Sequence, residues 1–137
     1  MKKSYTDKSD NLPLRGRQIL VVEDDSDTRE ILKFVLERNG ATVLATDAVQ
    51  TAIQLFETIR PDVVVADIGL PEYNGYALIA NIRELDREER SRTKCVAVTA
   101  YATSRDRDVT LSSGYDAYIA KPFKPDELVE TVAALAH

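Results

Sequence analysis

Ile19-Leu20-Val21-Val22-Glu23-Asp24-Asp25 is a short apolar run that stops abruptly at acids, and Val63-Val64-Val65-Ala66-Asp67 repeats the pattern. Neither run alternates polar with apolar residues. Each therefore reads as a strand buried on both faces, as strands of a parallel sheet are. Working outward, Ser26 to Asn39 place Ile31, Leu32, Val35 and Leu36 at helical spacing, and Gly40 supplies a left-handed stop. Thr42 to Thr46 form a second strand. Asp47 is expected to cap a helix carrying Ala48, Ala52, Leu55, Phe56 and Ile59, which Pro61 ends. Beyond the 63–67 strand, Asn74 is expected to cap a helix that buries Ala77, Leu78, Ile82 and Leu85.

Cys95 to Thr99 read as a fourth strand, Ser104 to Ser112 as a helix stopped by Gly114, and Ala117 to Ala120 as a fifth strand. Pro125 suits a first helical position, with Asp126 and Glu127 at the positive end of the dipole and Leu128, Val132 and Leu135 on the buried stripe. Strands alternating with helices predict an α/β fold, a doubly wound, mainly parallel sheet covered on both faces. Residues 1–16 read as an N-terminal tail or linker, and 17–137 as the domain. Arg83 to Arg92 mix both charge signs and read as a solvated helix end and loop.

The chain has 137 residues, 44% of them hydrophobic, which suits one domain with a real core. Its net charge of −5, from 18 Lys and Arg against 23 Asp and Glu, argues against direct nucleic-acid binding. No apolar run approaches the roughly 18 residues of a membrane span, and the N-terminus lacks a signal peptide's apolar stretch. A cytoplasmic protein without membrane insertion is the expectation. Cys95 is the single cysteine, so no disulfide framework or Cys-rich zinc site can form within the chain. His137 is the single histidine and the last residue, which excludes an internal Ser-His-Asp triad. Chemistry must run on carboxylates, Lys, Thr and Tyr.

In open α/β sheets, ligands sit outside the carboxyl ends of the strands. The first strand ends there in Glu23-Asp24-Asp25, the third in Asp67 and the fourth in Thr99, while the fifth leads into Lys121. Two carboxylates about 4 Å apart repel by roughly 4 kcal/mol at an effective dielectric of about 20. A cluster of them therefore needs a counter-charge. Lys121 offers one and Mg²⁺ another, since Mg²⁺ takes one or two carboxylates and completes its shell with water and phosphate. A carboxylate beside Mg²⁺, an ammonium and a hydroxyl is a plausible phosphoryl acceptor.

These stretches resemble the receiver domains of two-component response regulators. The likeness rests on residues 19–25, on Val63 to Gly75, on Val98-Thr99-Ala100 and on Tyr118-Ile119-Ala120-Lys121-Pro122-Phe123, in order and at family spacing. The resemblance implies a flavodoxin-like, five-stranded parallel sheet of order 2-1-3-4-5 with five helices. It implies Asp67 as the phospho-acceptor, Asp24 as a direct Mg²⁺ ligand, Glu23 holding the ion through water, and Gly69 contributing its backbone carbonyl. Thr99 is then the hydroxyl that swings toward the phosphoryl group, Lys121 its ion-pair partner and Tyr118 the aromatic switch. The Lys121–Pro122 bond is expected to be cis, and Pro71 and Gly75 to shape the loop after Asp67. The partners implied are a histidine kinase or histidine phosphotransfer domain as phosphodonor, a downstream protein target and a weak homodimer. The setting is a stand-alone regulator or the receiver of a hybrid sensor kinase, since Leu12-Pro13-Leu14-Arg15-Gly16 resembles the joint that precedes such receivers.

Two departures from the family pattern bear on phosphoryl lifetime: Gly69 has no side chain, and Tyr101 places a ring two residues after Thr99. Rival readings fare worse. A haloacid-dehalogenase-type phosphatase needs a second Asp where Gly69 stands, and a flavin module would meet repelling acids at 23–25. A pseudo-receiver lacks an acid or the lysine, and this chain has all of them.

Overall fold

The described residues of this computed structural model are 11–70, 74–101 and 103–137. Strands and helices alternate as β1 (Gln18–Val22), α1 (Ser26–Arg38), β2 (Thr42–Thr46), α2 (Val49–Ile59), β3 (Val63–Ala66), α3 (Asn74–Glu89), β4 (Lys94–Thr99), α4 (Ser104–Ser112), β5 (Ala117–Ala120) and α5 (Pro125–Ala136). All strand pairs are parallel, and the order is β2-β1-β3-β4-β5. The expected α/β architecture and strand order are those observed.

Side chains along a strand point alternately to opposite faces, and this sorts the core into two clusters. Ile19, Val21, Val63, Val65, Val96 and Val98 meet Leu32 and Leu36 of α1 and Leu128 and Val132 of α5. On the other face, Leu20, Val22, Val64, Ala66 and Ala97 meet Ala52 and Phe56 of α2 and Leu78 and Ile82 of α3. Cys95 is fully buried in that second cluster, and burial pushes its thiol up to about 12, so it packs as an inert hydrophobe.

Several local expectations change. Ile31, expected on the buried stripe of α1, is 51% exposed, and Leu32, Val35 and Leu36 are the residues α1 buries. Asp47 does not cap α2. The cap is Ala48, whose N–H donates to Thr46 Oγ1, and Asp47 stays exposed. Ala77 is exposed, while Leu78, Ile79 and Ile82 form the buried face of α3. Leu14 is fully buried in the first cluster, and its N–H donates to the Asn39 carbonyl, so packing extends N-terminal of the periodic pattern. The capping side chain of Asn74 and the loop role of Pro71 lie outside the described residues.

The segment 83–92 departs most from expectation. Arg83 is only 11% exposed, and it binds the carbonyls of Thr93 and Gly114 together with Asp86 and Asp116. Asp86 is 3% exposed and accepts from Thr93 N, Thr93 Oγ1, Ser91 Oγ and Arg83. What reads as a solvated stretch is in part a buried ionic hub that ties α3 to the starts of β4 and β5.

Two glycines are demanded by geometry. Gly40 follows α1 at φ 106°, and a Cβ there would lie 2.8 Å from the Arg15 nitrogen. Gly75 lets α3 approach the segment after β3, where a Cβ would lie 2.7 Å from Ile68 Cα.

Candidate functional site

Parallel pairing in register brings the ends of β1, β3, β4 and β5 to one edge, and the chain beyond them carries the chemistry. Backbone bonds extend the ladder there: Asp67 N–H donates to the Val22 carbonyl and Lys121 N–H to the Thr99 carbonyl. The Lys121–Pro122 peptide is cis.

Lys121 Nζ stands 2.8 Å from Glu23 Oε1 and 2.9 Å from Asp67 Oδ2, so one ammonium joins the β1 and β3 acids. Glu23 and Asp67 are both buried, whereas Asp24 is exposed. Among the described residues, Glu23, Asp24 and Asp67 each offer a carboxylate oxygen, and the three oxygens lie within 4.8 Å of one another. Hard oxygen donors at that spacing, one of them open to solvent, suit a divalent cation that keeps part of its water. The donor set fits Mg²⁺.

The remaining oxygens are engaged. Glu23 Oε2 accepts Asp25 N–H at 3.1 Å, which leaves Glu23 with both oxygens bonded and favours a water-bridged contact to a cation. Asp67 Oδ1 accepts Gly69 N–H at 2.7 Å. Asp25, the third acid of the loop, turns away to cap α1: its carboxylate accepts from both the hydroxyl and the amide of Thr28, which lower its pKa. Burial raises Glu23 to about 6 against the opposing hydrogen bond from Lys121. Burial alone would lower Lys121, but hydrogen bonds from it to Glu23 and Asp67 reverse that, and the ammonium is held above its ordinary value.

Thr99 is fully buried, and its Oγ1 accepts Tyr101 N–H at 3.2 Å. The Tyr101 carbonyl in turn accepts the hydroxyl of Tyr118 on β5, whose pKa desolvation raises. A two-step chain thus runs from Thr99 through one backbone unit to Tyr118. The Tyr101 ring borders Gly69. Sequence reasoning missed Arg29, whose guanidinium bonds the Glu23 and Asp24 carbonyls, because no pattern in residue types marks a side chain that binds backbone.

The model of the response regulator receiver domain family matches residues 19–133. An uncharacterized 14.6 kDa protein of Leptolyngbya boryana is 42% identical over 119 residues, covering 87% of this chain and 89% of that protein. The phosphate regulon transcriptional regulatory protein PhoB of Escherichia coli is 38% identical over 121 residues. That match covers 88% of this chain but 52% of PhoB, so the chain spans about half of that relative's length. Among solved structures, the receiver domain of sensor histidine kinase PA1611 from Pseudomonas aeruginosa PAO1, with a magnesium ion in its active-site cleft, aligns with a TM-score of 0.79 at 30% identity. The alignment covers 88% of this chain and 98% of that one. The receiver domain of Francisella response regulator 1452 aligns with a TM-score of 0.77 at 28% identity, over 88% of this chain and 97% of that one.

Proposed function

This chain belongs to the response regulator receiver domain family, and from that premise we propose that it is a phosphorylation-dependent switch whose acceptor is Asp67. The observation that carries this reading is the placement of Asp67: at the end of β3, bonded to Lys121, beside Glu23 and Asp24. The donor is a histidine kinase or a histidine phosphotransfer domain. A carboxylate oxygen of Asp67 forms a bond to phosphorus as the donor's P–N bond breaks. Asp24, Asp67 and the Gly69 carbonyl would hold Mg²⁺, with Glu23 assisting through water, and the ion would supply positive charge against the phosphoryl oxygens. The Lys121 ammonium is already in place to share that task.

A groove of about 490 Å³, lined by Thr28, Ile31, Ala100, Lys121, Pro122 and Phe123, opens beside the site. Its apolar wall, which includes exposed Ile31 on α1, suits the apolar flank of a donor helix. The output face is made of α4, β5 and α5. When Thr99 Oγ1 turns toward a phosphoryl oxygen, it gives up the Tyr101 N–H, and the Tyr101 unit that holds Tyr118 is released with it. Phosphorylation thus biases a two-state element that a partner protein reads. The setting is a stand-alone regulator that acts directly on a partner protein, or the receiver of a hybrid sensor kinase. The 52% coverage of PhoB shows the same domain inside a longer chain, as the hybrid-kinase setting also requires. Among the described residues no helix is long and apolar enough to cross a membrane.

Incubation with acetyl phosphate and Mg²⁺ should add one phosphoryl group by intact mass, and Asp67→Asn should abolish it. Labelling of that variant at the wild-type level would overturn the assignment.

A further inference from the structure

Arg29 sits in the first turn of α1, partly buried behind the acidic loop. Its Nη1 donates to the Glu23 carbonyl at 2.9 Å and to the Asp24 carbonyl at 3.4 Å. These are the peptide units of the two residues whose carboxylates converge with Asp67. At the join between β1 and α1 the strand ladder has ended, and such carbonyls need another partner. One guanidinium nitrogen serves both, while Asp25 N–H on Glu23 Oε2 fixes the other side of the same loop.

Resting on the reading of this pocket as a Mg²⁺ site, we propose that Arg29 is a positioning residue that sets Mg²⁺ affinity by holding the Glu23 and Asp24 peptide units. Its bonds go to the loop's carbonyls and not to the carboxylates that would hold the cation. An electrostatic role would have the opposite sign: a positive charge near the acids repels a cation, so its loss would tighten binding. A positioning role predicts that its loss weakens binding. The two accounts are separated by experiment.

The experiment is a Mg²⁺ titration followed by backbone amide shifts for wild type, Arg29→Gln and Arg29→Lys, at one ionic strength and one pH above 7. Both variants should bind Mg²⁺ roughly tenfold more weakly, the lower end of the loss seen when a partner orienting a metal ligand is removed. Lysine keeps the charge, but its shorter arm does not carry the ammonium to the point from which Nη1 meets both carbonyls. In the metal-free spectra the Asp25 amide should shift in both variants, since it reports the loop before any ion binds. Unchanged or tighter binding in Arg29→Gln, or full wild-type affinity in Arg29→Lys, would overturn the proposal. If Arg29→Gln does not fold, Arg29→Lys carries the same decision. Failure of wild type to bind Mg²⁺ would refute the pocket reading itself, and Arg29's role with it.

Discussion

Gly69 and Tyr101 flank the acceptor carboxylate. A Cβ at position 69 would lie 3.3 Å from Asp67 Oδ1 and 3.5 Å from the Tyr101 ring. Hydrolysis of an aspartyl phosphate needs a water in line with the breaking bond, and a polar side chain at either position could orient it. Glycine offers nothing, and the side chain beside it at position 101 is a ring, neither acid nor amide. Since even a misplacement of about 1 Å can cost roughly 10²-fold in rate, the phosphorylated state should be long-lived. Gly69→Asn and Tyr101→Glu should each release phosphate from the purified phosphoprotein faster, by about tenfold; slower release in both would show that water access is governed elsewhere. Single residues of this kind were legible where a residue type is scarce or ends a strand, as with Asp67 and Lys121. Asp47 and Arg29 were not. Both are ordinary residues near a helix start, and only the backbone path shows that Ala48 takes the cap position in place of the first and that the second binds carbonyls.

Elements were read well where both faces are buried. Apart from Gln18, β1 and β3 are apolar on both sides, and their ends place the acids without help from the helices. Helix faces were harder to read. Ile31 fits the apolar period of α1 as well as Leu32 does, yet it is exposed, because periodicity alone does not separate a core stripe from a docking face. In α3 the charged residues hide a structural role, since Arg83 and Asp86 find partners at Thr93, Gly114 and Asp116, which lie beyond the helix. Removing Asp86 takes the acceptor from Thr93 N, Thr93 Oγ1 and Ser91 Oγ, while Arg83 keeps Asp116 and the Thr93 and Gly114 carbonyls. Asp86→Ala should therefore cost about 1–3 kcal/mol in denaturant unfolding, without altering the acceptor pocket at the other edge of the sheet. A loss under about 1 kcal/mol would mean that the hub is solvated in solution.

At the scale of the whole molecule, the acid cluster links stability to magnesium and to pH. A cation that binds the folded pocket and not the unfolded chain raises the melting temperature. The folded pKa of Glu23, about 6, exceeds its unfolded value of 4.5. Folded protein therefore holds that proton more tightly, and in the metal-free protein this contribution favours stability below pH 4.5 and is lost as pH rises through 6. Mg²⁺ competes with the same proton, so the melting-temperature gain from magnesium should be full at about pH 7 and shrink below about pH 6. A gain that is constant from about pH 7.5 to about 5 would show that Glu23 does not take part.

Coupling between the two ends of the Thr99–Tyr101–Tyr118 chain is the central claim, and an amide spectrum with and without beryllofluoride and Mg²⁺, a stable stand-in for the phosphoryl group, tests it most directly. Wild type should show shifts at Asp67, Thr99, Tyr101 and Tyr118 together, and Thr99→Ala should keep those at Asp67 while losing most of those at Tyr118. Shifts confined to residues 23–25 and 67–69 in wild type, or a Tyr118 response undiminished in Thr99→Ala, would contradict the account.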